Sequence, residues 1–263
     1  MITGAQQSFI NTALPILRRD ERVVGVALGG SYVKRELMDE FSGLDFVVAI
    51  DPERYDEVLA ERVEIAGRLG VLLSCFTAEH IEQPERLICL YDEPPLHVDL
   101  NFQRPLDAAD RYEEPVILYE KNAALSEAFA TLPVKVPHPD MQWFEDRFWV
   151  WLHYAAARAG RGELFDVLGS LDFLRHNVLG PLIQMRNGQP PRGVRHIERN
   201  APNEVARLAD TIARYDRADC VRALKAAANL YIALRSSSRV GLVVREDAEK
   251  RALQYLNRMS FDK

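Results

Sequence analysis

The sequence predicts an α+β half followed by an all-α helical bundle, and three observations carry that reading. Short β-rich apolar runs alternate with helical segments up to about residue 122. Beyond residue 138 the apolar spacing is helical throughout. Between these stretches Pro133, Pro137 and Pro139 interrupt any regular element. The boundaries that follow are 1–122 for the first domain, 123–138 for a linker and 139–263 for the helical domain, and 263 residues suffice to bury a core in each.

Ile10, Leu14 and Leu17 recur at helical spacing and predict an amphipathic helix over 6–19, ended by the polar run Arg18 to Arg22. Val23 to Leu28 reads as a strand that runs into Gly29-Gly30-Ser31, a turn with no side-chain bulk at two positions. Phe46 to Ile50 is a second strand, apolar enough to be buried on both faces. Asp51-Pro52-Glu53 then supplies a cap, a proline for the first helical turn and an early acid, so a helix should run to about Leu69 before Gly70. Three more strands follow at 71–76, 87–91 and 96–102, the last two joined by the tight connection Asp92 to Pro95. In the helical half Phe144, Phe148, Trp151, Leu152 and Ala155 share one face, as do Leu164, Val167, Leu168, Leu171, Leu174 and Val178. Further helices are expected near 203–215, 218–235 and 245–259.

Composition narrows the function classes. With 48% hydrophobic and 27% charged residues the chain reads as globular rather than disordered, and the net charge of −6 argues against a general nucleic-acid binder. No apolar run approaches the roughly 18 residues of a membrane helix, so the expected location is the cytoplasm. Cys75, Cys89 and Cys220 are odd in number and widely spaced, and read as buried thiols rather than a metal site or disulfide.

The residues with chemical potential are Gly29-Gly30-Ser31, then Asp45 at the head of a strand, then Leu96-His97-Val98-Asp99-Leu100-Asn101-Phe102. Two glycines after a strand let the backbone approach a phosphate, and Ser31 adds a hydroxyl. Strand alternation puts Leu96, Val98, Leu100 and Phe102 on one face and His97, Asp99 and Asn101 on the other. If that strand neighbours the Asp45 strand, the two carboxylates meet and can hold Mg²⁺, a cation that takes hard oxygen ligands and keeps substrate phosphates in its shell. Taken singly, Asp45 reads equally well as a turn cap and Asp99 as a solvated residue.

This order of elements and residues resembles the DNA polymerase β-like nucleotidyltransferase superfamily, in particular its small-molecule branch of aminoglycoside and lincosamide nucleotidyltransferases, which appends a helical C-terminal domain. The resemblance covers about residues 10–120, and only the architecture beyond. It implies a mixed sheet with flanking helices, with Asp45 and Asp99 as catalytic metal ligands. Gly29, Gly30, Ser31 and Lys34 are then the nucleotide-binding residues. Mg²⁺ and a nucleoside triphosphate, ATP first, would be cofactor and substrate, and a homodimer is a further expectation of the resemblance alone.

One position departs from the pattern. The segment Ser42-Gly43-Leu44-Asp45 matches the family's Ser-Asp-x-Asp, so Gly43 stands where a third metal-binding carboxylate is usual. Asp39 and Glu40 are either substitutes for it or solvated loop charges. The expected reaction is transfer of a nucleoside monophosphate, AMP in the first instance, from a Mg-NTP to a small-molecule hydroxyl with pyrophosphate release, Asp99 or Glu93 taking the proton. The alternative, raised by Gly43, is an impaired nucleotide-binding relative or a protein-partner module. Arg35 joins Lys34 as a possible phosphate partner, His97 is either a ligand contact or a structural hydrogen-bonder, and Trp143, Phe144, Trp149 and Trp151 are either core or the wall of an acceptor pocket.

Overall fold

The computed structural model describes residues 4–34, 37–92, 94–135, 139–236 and 241–259. The chain divides after Lys135 into two compact units. Among the described residues no helix is long and apolar enough to cross a membrane.

The first unit is a six-stranded mixed sheet in the order β3-β4-β5-β2-β1-β6. Its strands are β1 (Val23–Leu28), β2 (Leu44–Ile50), β3 (Leu72–Ala78), β4 (Gln83–Tyr91), β5 (Leu96–Gln103) and β6 (Val116–Glu120). Neighbouring strands are antiparallel except β2 and β5, which run parallel. Helices α1 (Gly4–Arg19) and α2 (Tyr55–Arg68) cover one face. Their Phe9, Ala13, Leu17, Val58 and Ile65 meet Leu44, Phe46, Val48, Val98, Leu100 and Phe102 in one core. The even-numbered residues of β2 and β5 therefore point inward, and the odd-numbered ones face the other way. As the cap expectation has it, the Asp51 carboxylate accepts the Glu53 N–H at 3.0 Å. The chain nevertheless makes one 3-10 turn, Pro52–Arg54, before α2 begins.

The stretch 103–138, for which the sequence pattern marks no element, contains α3 (Pro105–Ala108), β6 and α4 (Ala124–Thr131). Leu125 and Phe129 of α4 pack with Ala108 onto Ala27 and Ala49, closing the second sheet face over β1 and β2. Part of the segment 123–138, read from the sequence as a linker, is thus core-forming helix. The alanines of α4 hide its apolar face from a periodicity reading. The glycine of β1 has a purpose here, because a Cβ at Gly25 would come 2.7 Å from the Leu125 side chain. Over β3, β4 and β5 the same face stays open, with Phe76 and Leu90 exposed.

The second unit is helical: α5 (Met141–Arg161), α6 (Leu164–Leu174), α7 (Gly180–Arg186), α8 (Ile197–Asn200), α9 (Val205–Ala209), α10 (Arg217–Arg235) and α11 (Glu246–Asn257). A π-helical turn, Arg175–Leu179, joins α6 to α7. Asp140 caps α5 through the Gln142 N–H and Asp216 caps α10 through the Asp219 N–H. The helix expected over 203–215 is shorter, a 3-10 turn at Pro202–Glu204 running into α9, after which the Leu208 carbonyl accepts both the Thr211 N–H at 3.1 Å and the Thr211 hydroxyl at 2.6 Å. Phe144, Phe148 and Trp149 lie in the core, where Phe148 stacks on Tyr231 at 3.8 Å. Phe144 and Trp149 therefore cannot wall an acceptor pocket, whereas Trp151 borders a groove of about 350 Å³ with Tyr154, Phe165 and Phe173.

Cys89 and Cys220 are buried and Cys75 is half-buried, all as free thiols. Burial pushes the Cys89 thiol up to about 12.

Candidate active site

Register assembles the site. On the parallel neighbours β2 and β5, Asp45 is the direct partner of Asp99, and Leu44 pairs with Val98. In-register residues of adjacent strands project to the same side, so both carboxylates stand on the face away from α1 and α2. His97 precedes Asp99 on that face and Asn101 follows it. Asp99 is almost fully buried and its oxygens are engaged, Oδ1 with His97 Nε2 at 2.9 Å and Oδ2 with an Arg86 guanidinium nitrogen at 3.5 Å. The Asp99 hydrogen bond raises the His97 pKa above the ordinary imidazole value; burial opposes this, and the charges of Asp99 and Asp45 add to it.

The glycine turn closes over Asp45. The Gly29 N–H donates to the Asp45 carbonyl at 2.9 Å, which ties the end of β1 to the start of β2. Gly30 has φ +61°, and a Cβ there would fall 1.9 Å from Asp45 Oδ2. Only glycine satisfies both demands. Gly30, Ser31 and Tyr32 then form a single 3-10 turn. Lys34 is exposed on the following segment, while Arg35 and Glu93 lie outside the described residues.

The loop before β2 is built by Asp39. Its carboxylate accepts from the Phe41 N–H at 3.0 Å and the Ser42 hydroxyl at 2.8 Å, and Gln6 of α1 donates to the Asp39 and Ser42 carbonyls. Asp39 is thus spent on the turn, and Glu40 is exposed. Gly43 follows and faces His97: a Cβ at position 43 would come 2.9 Å from the His97 carbonyl oxygen and 3.3 Å from its ring. Any side chain at this position must push against the backbone of β5.

Two residues of the site have no signal in the sequence pattern. Arg86 sits on β4 opposite Asn101, in the part of the strand between Gln83 and Leu87 that the apolar pattern does not mark. Glu113 arrives from the loop before β6. Because Leu28 of β1 pairs with Val116 of β6, residues just before β6 lie beside those just after β1. The Gly30 N–H donates to Glu113 Oε1 at 2.5 Å.

Among the described residues no group of three His, Cys, Asp or Glu side chains is arranged to hold a metal ion. Asp45 and Asp99, the carboxylates expected to hold Mg²⁺, share one face of adjacent strands, and both Asp99 oxygens are engaged by His97 and Arg86.

Compared with solved structures, the chain is similar to an aminoglycoside 6-adenyltransferase from Bacillus subtilis, with 18% identity, all of both chains covered and a TM-score of 0.45. It is also similar to a nucleotidyltransferase-like protein from Exiguobacterium sibiricum 255-15, with 13% identity over 99% of this chain and 81% of that one, at a TM-score of 0.37. No family model matches the chain, and no curated protein matches it.

Proposed function

We propose that the chain is a small-molecule nucleotidyltransferase, moving AMP from a Mg-NTP to an acceptor hydroxyl with release of pyrophosphate. The observation that carries this reading is the pairing of Asp45 with Asp99 beneath the Gly29-Gly30 turn. In it the backbone of Gly29, Gly30 and Ser31 holds phosphate oxygens, and Lys34 offsets their charge. Asp45 and Asp99 hold Mg²⁺, which when bound would draw charge from the phosphates and favour loss of pyrophosphate. In this reading Asp99 accepts the hydroxyl proton, while His97 and Arg86 keep its carboxylate oriented. The helical unit supplies acceptor contacts or an interface, and the net charge of −6 suits a cationic acceptor such as an aminocyclitol.

The test is pyrophosphate release from ATP, GTP and CTP over a panel of aminocyclitols and other polyols. Asp45→Asn and Asp99→Asn should each lower turnover by roughly 100-fold or more with the melting temperature little changed. Turnover that survives both substitutions would remove these residues from the chemistry.

Gly43 favours a second reading, a nucleotide-binding relative that does not transfer. The His97 carbonyl leaves no room for a third carboxylate at that position. On this reading Mg-NTP raises the melting temperature, as a ligand of the native state must, while no acceptor yields pyrophosphate.

A further inference from the structure

The glycine turn already holds an anion, the protein's own. Glu113 Oε1 accepts the Gly30 N–H and lies 3.1 Å from where a Gly29 Cβ would be, a close approach to the bare backbone of the turn. A carboxylate oxygen received by a backbone amide at a glycine turn occupies the place a phosphate oxygen would take. The Asp45 carboxylate stands beside the same Gly30, on the strand that pairs with that of Asp99.

The loop carrying Glu113 does not depend on this contact. Arg111 fastens it by donating to the carbonyls of Ala109, Phe129 and Leu132 and to the Glu114 carboxylate, and its guanidinium lies 4.6 Å from the centre of the Phe129 ring. These contacts hold the loop in place independently of the Glu113 carboxylate.

We propose that Glu113 is a built-in competitor for the phosphate-binding turn, seated on the Gly30 amide in the free protein and displaced when a polyphosphate arrives. This rests on the turn being a phosphate holder, as in the proposed function. Its consequence is that the free protein ignores weakly held anions such as inorganic phosphate and admits only a ligand with several phosphates and a cation.

The experiment is calorimetric titration of inorganic tripolyphosphate with Mg²⁺ into the full chain, Glu113→Gln, Glu113→Ala and Glu114→Gln. Melting temperatures of all four confirm folding. The expected result is binding about tenfold tighter in both Glu113 variants and unchanged in Glu114→Gln, which removes a neighbouring charge while its amide oxygen can still accept from Arg111. Equal or weaker binding in the Glu113 variants overturns the proposal, as does an equal gain in Glu114→Gln or no binding to any of the four. Pyrophosphate release from ATP is measured alongside. Tighter tripolyphosphate binding without pyrophosphate release from any acceptor upholds the competitor and removes the transfer reading; a transferring enzyme whose Glu113 variants bind no more tightly upholds transfer and removes the competitor.

Discussion

Gly30 combines φ +61° with a Cβ position 1.9 Å from Asp45 Oδ2, so a methyl group there both strains the backbone and displaces a carboxylate. Gly30→Ala should cost about 1–2 kcal/mol from backbone conformation alone and should abolish tripolyphosphate binding, read by urea unfolding and calorimetry. Gly43 has a different constraint, because the obstacle is the His97 carbonyl rather than its own φ. Gly43→Ala and Gly43→Asp should therefore destabilise alike, by about 1–3 kcal/mol, since both carry the offending Cβ. The aspartate form should release pyrophosphate no faster than the unmodified chain; a gain would show that β5 yields and that the position still accepts a ligand. At this scale Asp45, Asp99 and the glycine turn were legible in sequence because their positions relative to strand ends have a local physical reason. Glu113 and Arg86 were not, because only strand register brings them to the site.

The helices α4 and α5 show what elements contribute. Leu125 is fully buried against Gly25 and Ala49, so Leu125→Ala should cost about 2–5 kcal/mol in a urea titration, a loss that an exposed linker would not show. In the helical unit Glu145 of α5 is fully buried and accepts from Trp149, Tyr231, Arg235 and the Arg245 N–H. Burial is the largest influence and pushes its pKa up, but the Arg245 N–H, the Tyr231 hydroxyl, the Arg235 charge and the Trp149 indole together hold it below the usual carboxyl value of 4.5. A carboxyl with a lowered folded pKa stabilises fully above its unfolded pKa and loses that contribution as pH falls through the folded value. Stability of the helical unit should therefore drop on acidification below about pH 4.5, and Glu145→Gln should flatten that drop while lowering stability at neutral pH. Tryptophan fluorescence reads this unit alone, since Trp143, Trp149 and Trp151 all belong to it. Periodicity revealed α5 and α10, yet it could not show that Glu145, in a stripe of aromatics, serves as an internal acceptor rather than a pocket wall.

At the scale of the molecule, the buried clusters among the described residues respect the division after Lys135: two lie in the first unit and one in the helical unit. A fragment of residues 1–135 should then fold cooperatively, seen by circular dichroism on heating, and bind tripolyphosphate as the full chain does. A fragment that stays unfolded would show that the first core needs the second unit. The sequence by itself determined the class of each half, the order of most strands, the glycine turn and the two carboxylates, because strand alternation, helical spacing and turn chemistry act over a few residues. Only the tertiary structure decided that β5 lies parallel to β2 with Asp99 opposite Asp45, that Glu113 sits in the turn, and that His97 bars a side chain at Gly43. Those outcomes depend on pairing between segments dozens of residues apart, and register over such distances is set by the shared core rather than by any local preference.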